Sequence, residues 1–423
     1  MPGMEAVRSN IMIKSADGGK RIKYLLFPIM IWLLAFQSPL ESVHRIFAYT
    51  DEITACIGAA GCVLVVLNGK KFRLSKDTWL VVAAMAVFMA VGLLGNLLYR
   101  YQPLSTVLVD LFTNFKFFFA IAAGYFLFGD MQWDRLSEQG RKHARIIALL
   151  LFCIFLLDRV FNFWPAQVRY GIKSARLFFF HPTYLAGAMV FLVVLLTAFY
   201  EKKNLPCIAM AVLMMAFTLR SKAIASAAAF MMLFVFAIVM KRKINLYHLA
   251  ALGGACFVIG LPFIWFYYFS VGLKSVRAWL TVCSVWIMRD YFPIGTGFGT
   301  FASAAAAERL SPVYYLYNME QYVGAAANWQ NYLCDTFWPI IFGQTGAIGT
   351  CAFLIALCCI GRRTLLLHKK SSYVYVSALF ALIYLLIGST SEPSFHNSVA
   401  VPLALMCGIF FRVENNKSNE NTE

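Results

Sequence analysis

Asp335 opens the stretch DTFWPIIFGQTGAIG (335–349), a carboxylate set just before an apolar run long enough to cross a bilayer. A carboxylate there could take a proton from a hydroxyl, a general-base role worth roughly 100- to 10,000-fold in rate. It could equally cap the helix that follows, or orient a bound ligand. Three other stretches carry cations. Arg176 and His181 lie in SARLFFFHPTYLAG (174–187), and Arg220 and Lys222 in TLRSKAIAS (218–226). Arg277 and Arg289 lie near the two ends of VRAWLTVCSVWIMRD (276–290). The planar fork of Arg donates two parallel, charge-assisted hydrogen bonds, which suits a phosphate. Each residue also has a plainer explanation: solvated loop charge for the arginines, a snorkelling Lys222, an interfacial polar residue for His181.

The elements that must position these groups are membrane helices. The chain has 423 residues, is 61% hydrophobic and only 13% charged, and its mean hydropathy is +0.70. The apolar residues come in long blocks, and about 20 such residues cross a hydrocarbon core roughly 30 Å thick. This predicts an all-α polytopic fold with twelve spans, near 24–38, 52–68, 79–99, 106–128, 144–157, 181–200, 205–219, 223–240, 247–272, 338–360, 374–391 and 394–411. The organisation that follows is a cytoplasmic tail (1–23), spans one to nine (24–272), a long periplasmic loop with short helices (273–337), spans ten to twelve (338–411) and a cytoplasmic tail (412–423). The first apolar block has no small-residue cleavage site behind it and reads as a retained span.

With both termini inside, Lys and Arg favour the inner segments by about two to one, as basic anchoring of topology requires. The net charge of +17 is thereby accounted for without nucleic acid. The remaining cations sit on the outer side, where they work against topology. They cluster between spans five and six (Arg159, Arg169, Lys173, Arg176), between seven and eight (Arg220, Lys222), and in the loop 273–337 (Lys274, Arg277, Arg289, Arg309). Grouped so, they predict an anionic ligand at the outer leaflet. Glu392 in GSTSEPSF and Tyr332 are further candidates for substrate contact, and Trp329, Phe337 and Trp338 either stack on sugars or mark the interfacial belt.

Other patterns are set aside. GTGFGTF (295–301) has neither a preceding strand nor a following Lys-Ser/Thr, so it is read as a turn that lets backbone approach a ligand or a helix. The eleven Cys show no metal spacing and read mostly as small core residues; a Cys283–Cys334 disulfide is one option for the long loop. Asp110 and Lys116, six apart in span four, cannot pair with each other, and each needs a partner from another span. The pair His396-Asn397 lacks the Gly-x-x-Gly that would follow it in a catalytic motif.

Taken in order, Arg-x4-His-Pro-x-x-Leu-Ala (176–186), the basic hairpin 220–222, the Arg-led stretch, DYFPIGTGFGTF (290–301) and DTFWPIIFGQTGAIG (335–349) resemble the O-antigen polymerase and O-antigen ligase superfamily of bacterial inner-membrane glycosyltransferases. The resemblance covers about residues 100–410 and is clearest over 174–349. It implies metal-independent glycosyl transfer, without cofactor, from undecaprenyl-diphosphate-linked glycan at the periplasmic face. A flippase and a chain-length regulator are the implied partners, beside membrane lipid. It matches Arg176, Lys222 and Arg277 to diphosphate-binding positions, with Arg220 and Arg289 as further candidates. The ligase branch often carries His-Asn or His-Ser eleven residues before Gly-x-x-Gly. Counting back from Gly346 lands on Asp335-Thr336, and Gln344 stands where many relatives have an acid. These departures favour a polymerase, with Asp335 as base, over a ligase. A lipid-linked glycan transporter is the rival of another class, disfavoured by the absence of a sequence repeat.

Overall fold

A computed structural model describes residues 22–67, 75–243, 247–248, 254, 276–320 and 332–420, the last eight without side chains. All of the ninth expected span (247–272) except 247–248 and 254, the tail residues 1–21 and 421–423, and Trp329 lie outside the described residues. What is described is almost wholly helical. The one sheet among those residues is a two-stranded hairpin, β1 (Val168–Arg169) with β2 (Ile172–Lys173), antiparallel.

The first apolar block forms α1 (Ile22–Ala35) and α2 (Gln37–Val43), bent by 80° at Phe36. Pro39 in the first turn of α2 cannot donate backward and its ring clashes with a carbonyl one turn earlier, which accounts for the break. There follow α3 (Thr50–Leu67), α4 (Lys76–Tyr99), α5 (Leu104–Leu127) and α6 (Trp133–Phe161). Next come α7 (Pro182–Ala198), α8 (Leu205–Phe217) and α9 (Ser221–Phe234), the last continued by a π-helical turn to Val239. Beyond the undescribed stretch lie α10 (Val276–Asp290), the short α11 (Ala304–Glu308) and α12 (Pro312–Leu316), then α13 (Trp338–Leu366), α14 (Ser372–Ser389) and α15 (Ala400–Glu420).

Among the described residues six helices are long and apolar enough to cross a membrane, or seven if α1 and α2 form one broken span. The fold is that of a helical, multi-pass membrane protein. Eleven of the twelve expected spans coincide with helices, but α7 and the apolar part of α15 are short, and α8 has only 13 residues. Span five was expected at 144–157; α6 is much longer, because its amphipathic first turns continue the helix back to Trp133. The last span was expected from 394, yet 390–399 forms turns and the helix begins at Ala400.

The packing explains several polar residues inside apolar segments. Lys116 on α5 pairs with Asp51 on α3 at 2.6 Å, and Gln37 donates to the same carboxylate at 2.7 Å. Asp110 finds its partner in a loop rather than a span: its carboxylate accepts the Gly299 N–H at 2.8 Å and the Asn114 amide at 3.2 Å. That loop is the Gly-rich turn, and its glycines serve approach to helices. α13 breaks at Gly346 (φ 58°, ψ −155°). The Gly343 and Gln344 carbonyls before the break accept from Thr296 N (3.0 Å) and Gly297 N (2.8 Å). A Cβ on Gly295 would meet the Gly346 nitrogen, and one on Gly297 the Asn96 backbone. The loop thus plugs the broken helix and is clamped to α4 by Asn96, which bonds both Phe298 N and O.

Contacts among the loops fall at two opposite ends of the bundle. One end carries Lys23–Asp130, Arg362–Asp77 and the bonds of Arg145 to Glu201 and Asn204. The other carries Tyr101–Tyr291, the Gly-rich loop on Asn96, and every described site residue proposed from sequence. Cys283 and Cys334 are both free thiols, so the loop is not held by a disulfide between them.

Candidate functional site

The cations from separate segments meet because backbone ties hold their loops together. After α6, the hairpin β1–β2 turns through Tyr170 and Gly171, both at positive φ, as a tight turn requires. Ser174 N then bonds Gln167 O, and Ala175 N bonds the Phe217 carbonyl at the end of α8. Arg176 is thereby brought beside the α8–α9 turn, where Arg220 sits immediately before α9. His181 stands before α7, with Pro182 in the first helical position. Its Nδ1 accepts the Thr183 N–H at 3.3 Å, and its Nε2 lies 2.9 Å from Arg220 Nη2. Arg176, His181 and Arg220, with Pro165, Ala166, Gln167, Phe180 and Pro182, line a cavity of about 440 Å³. Among the side chains that line it, Arg176 has a buried Nε without a hydrogen-bond partner.

Electrostatics in this cavity are cationic. Burial, then the charges of Arg220, Lys222, Arg169 and Arg176, push the His181 pKa down to about 4. The imidazole is therefore neutral at physiological pH. Lys222, the second residue of α9, pairs with Glu392 from the α14–α15 connection and lies within electrostatic range of both Arg220 and Arg277.

Arg277 leads the chain of charges to the acid. It stands at the start of α10, which packs against α13, and its Nη2 lies 3.1 Å from Asp335 Oδ2. Both side chains keep about a third of their surface open, 38% and 34%. Asp335 does not cap α13: that helix begins after Phe337, and no side chain caps it. The cap alternative for Asp335 gives way to an ion pair with a cation from a different segment. Tyr332 shares the turn, its carbonyl accepting the Asp335 N–H at 3.3 Å, and it is half exposed.

Several expected residues fall elsewhere. Arg289 lies twelve residues along α10 from Arg277, about 18 Å at the helical rise; it is 73% exposed and bonds its neighbour Asp290, so the fold does not bring it to Arg277. Arg159 and Lys173 both engage Asp158 and brace the hairpin instead of facing the Arg176 cavity. Phe337 is buried against Phe353, Phe395 and His396, and Trp338 donates to Ser389 Oγ at 3.1 Å; Phe337 offers no face to a sugar. Sequence reasoning missed the Lys222–Glu392 pair, because 170 residues separate the two and no spacing links them. It also missed Asp51 as the partner of Lys116, and Gln37 as a second donor to that carboxylate.

The arrangement can bind an anion in a cavity lined by two arginines and a neutral imidazole. It also presents a solvent-accessible carboxylate held by a third arginine, Arg277, which with Arg220 lies within electrostatic range of Lys222. No group of three or more His, Cys, Asp or Glu side chains suited to a metal occurs among the described residues. No protein-family model and no curated protein matches the chain.

Proposed function

We propose that the chain is a membrane glycosyltransferase that joins lipid-linked oligosaccharide units at the outer face of a bacterial inner membrane. The donor would be a glycan on undecaprenyl diphosphate. The observation that supports this reading is a chain of neighbouring charges drawn from three separate stretches of sequence: Arg176 and Arg220 line one cavity, Lys222, paired with Glu392, lies within electrostatic range of Arg220 and Arg277, and Arg277 pairs with Asp335. Here Arg176 and Arg220 line an open cavity with no acid among its lining residues.

The chemistry follows from those positions. The diphosphate sits among the guanidinium groups. It competes with Asp335 for Arg277, which releases the carboxylate as the donor arrives. The acceptor hydroxyl attacks the anomeric carbon and its proton passes to Asp335. The bond between anomeric carbon and phosphate oxygen breaks, and its electron pair leaves with the diphosphate. Fixed cations stabilise the charge that grows on that leaving group. Neither a metal nor a nucleotide is called for. The open cavity among the loops favours a glycan over a transported lipid, and an Asp rather than His at 335 favours the polymerase over the ligase.

Asp335→Asn in cells making the polymer tests this. The expected surface glycan is single capped units with the ladder of longer chains gone. A normal ladder removes Asp335 from the chemistry.

A further inference from the structure

The two ring nitrogens of His181 both face donors. Nδ1 receives the Thr183 N–H at 3.3 Å as the cap of α7, and Nε2 lies 2.9 Å from Arg220 Nη2. A neutral imidazole carries one N–H. With Nδ1 accepting, that hydrogen belongs on Nε2, where it points at another donor. His181 and Arg220 then make a donor-against-donor contact on the wall of the cavity that Arg176 and Arg220 line. An anionic oxygen placed between Nε2 and Nη2 accepts from both and removes the conflict.

We propose that a non-bridging diphosphate oxygen is seated between His181 and Arg220, with His181 acting as a neutral N–H donor whose tautomer is set by its capping of α7. This rests on the reading of that cavity as the diphosphate seat, and gives it a contact beyond its two lining arginines. The groups facing His181 favour neutrality: Arg169 from β1, Arg176 from the following loop, Arg220 and Lys222 from the α8–α9 turn and α9, and burial together hold its pKa near 4. Glu392 is engaged with Lys222. Protonating Nδ1 would also sacrifice the cap. The site so built takes its anion without taking up a proton at His181.

The experiment measures binding of a short-chain alkyl glycosyl diphosphate, a diester that does not titrate near neutrality, to the full chain in nanodiscs. Inorganic pyrophosphate serves as a second probe, so that a lipid-type head group and a free phosphate are told apart. His181→Ser keeps a capping oxygen for α7 but has no reach to the cavity. It is expected to lower diester affinity by about tenfold or more while its circular dichroism and melting stay close to wild type. Wild-type affinity is expected to be flat from about pH 5.5 to 8. Unchanged diester affinity in His181→Ser, with loss in Arg176→Ala, overturns the seat and leaves the cavity reading standing. Wild-type affinity that climbs as pH falls, with the climb absent in His181→Ser, overturns the neutral donor. Wild-type protein that binds only pyrophosphate, or neither probe, overturns both readings.

Discussion

At the scale of the residue, the cations were legible and their partners were not. Arg176, Arg220, Lys222 and Arg277 stood out because positive charge on the outer side of a membrane protein opposes topology. Which acid each would meet depends on tertiary contacts spanning up to 170 residues, and spacing says nothing of them: Lys222 meets Glu392, Arg277 meets Asp335. The Arg277 pair predicts a distinction between two variants. Asp335→Asn keeps the donor site and loses the base, so donor should still bind while turnover falls by roughly 100-fold or more. Arg277→Ala should weaken donor binding itself; unaltered donor affinity would take Arg277 out of the phosphate seat. His181 and His396 give a pH prediction. Their folded pKa values, about 4 and about 3, lie below the ordinary 6.5. The folded state thus binds fewer protons than the unfolded one as pH falls below 6.5. Stability present above that value is lost towards pH 4. Melting temperature should drop between pH 7 and pH 5, and less steeply when both histidines are replaced by Asn.

At the scale of the element, long apolar blocks identified helices well, since their length alone exceeds what a bilayer needs. Boundaries fared worse where local chemistry intervened: Pro39 breaks the first block, and the turns at 390–399 delay α15. The Gly-rich loop was assigned to backbone approach, and the fold gives that approach a target, the broken turn of α13 at Gly346. Nothing local in GQTGAIG tells a helix break from a small-residue packing face. Gly346→Ala places a Cβ against the Gly295 backbone at a left-handed φ. It should lower the melting temperature and expose the 295–301 loop to limited proteolysis; wild-type resistance would show the two segments are not coupled. Removing Lys116 as Lys116→Met leaves Asp51 buried and unpaired. The expected loss is about 3–5 kcal/mol, most of it recovered on adding Asp51→Leu. Equal instability in the single and double variants would mean that the pair is not what matters there.

At the scale of the whole molecule, the alternation of helices puts the site residues at one end and Lys23–Asp130, Arg145–Glu201 and Arg362–Asp77 at the other. We propose, from the excess of Lys and Arg on the segments expected inside, that this second end faces the cytosol. Tyr170 is 69% exposed at the site end. A cysteine put there should react with a membrane-impermeant maleimide in intact spheroplasts, and one at Lys202 only after permeabilisation, each read against the unsubstituted chain. The reverse pattern would turn the cations to the cytosol and take away the lipid-linked glycan. The claim on which everything else depends is that arginines from separate loops hold one diphosphate. Its most direct measurement is the affinity of purified protein in nanodiscs for undecaprenyl-diphosphate-linked glycan, taken for wild type, Arg176→Ala, Arg277→Ala and the double variant. If one ligand bridges both, each single change weakens binding, and the double loses less than the two single losses added together. Affinities that match wild type in both single variants would contradict the account.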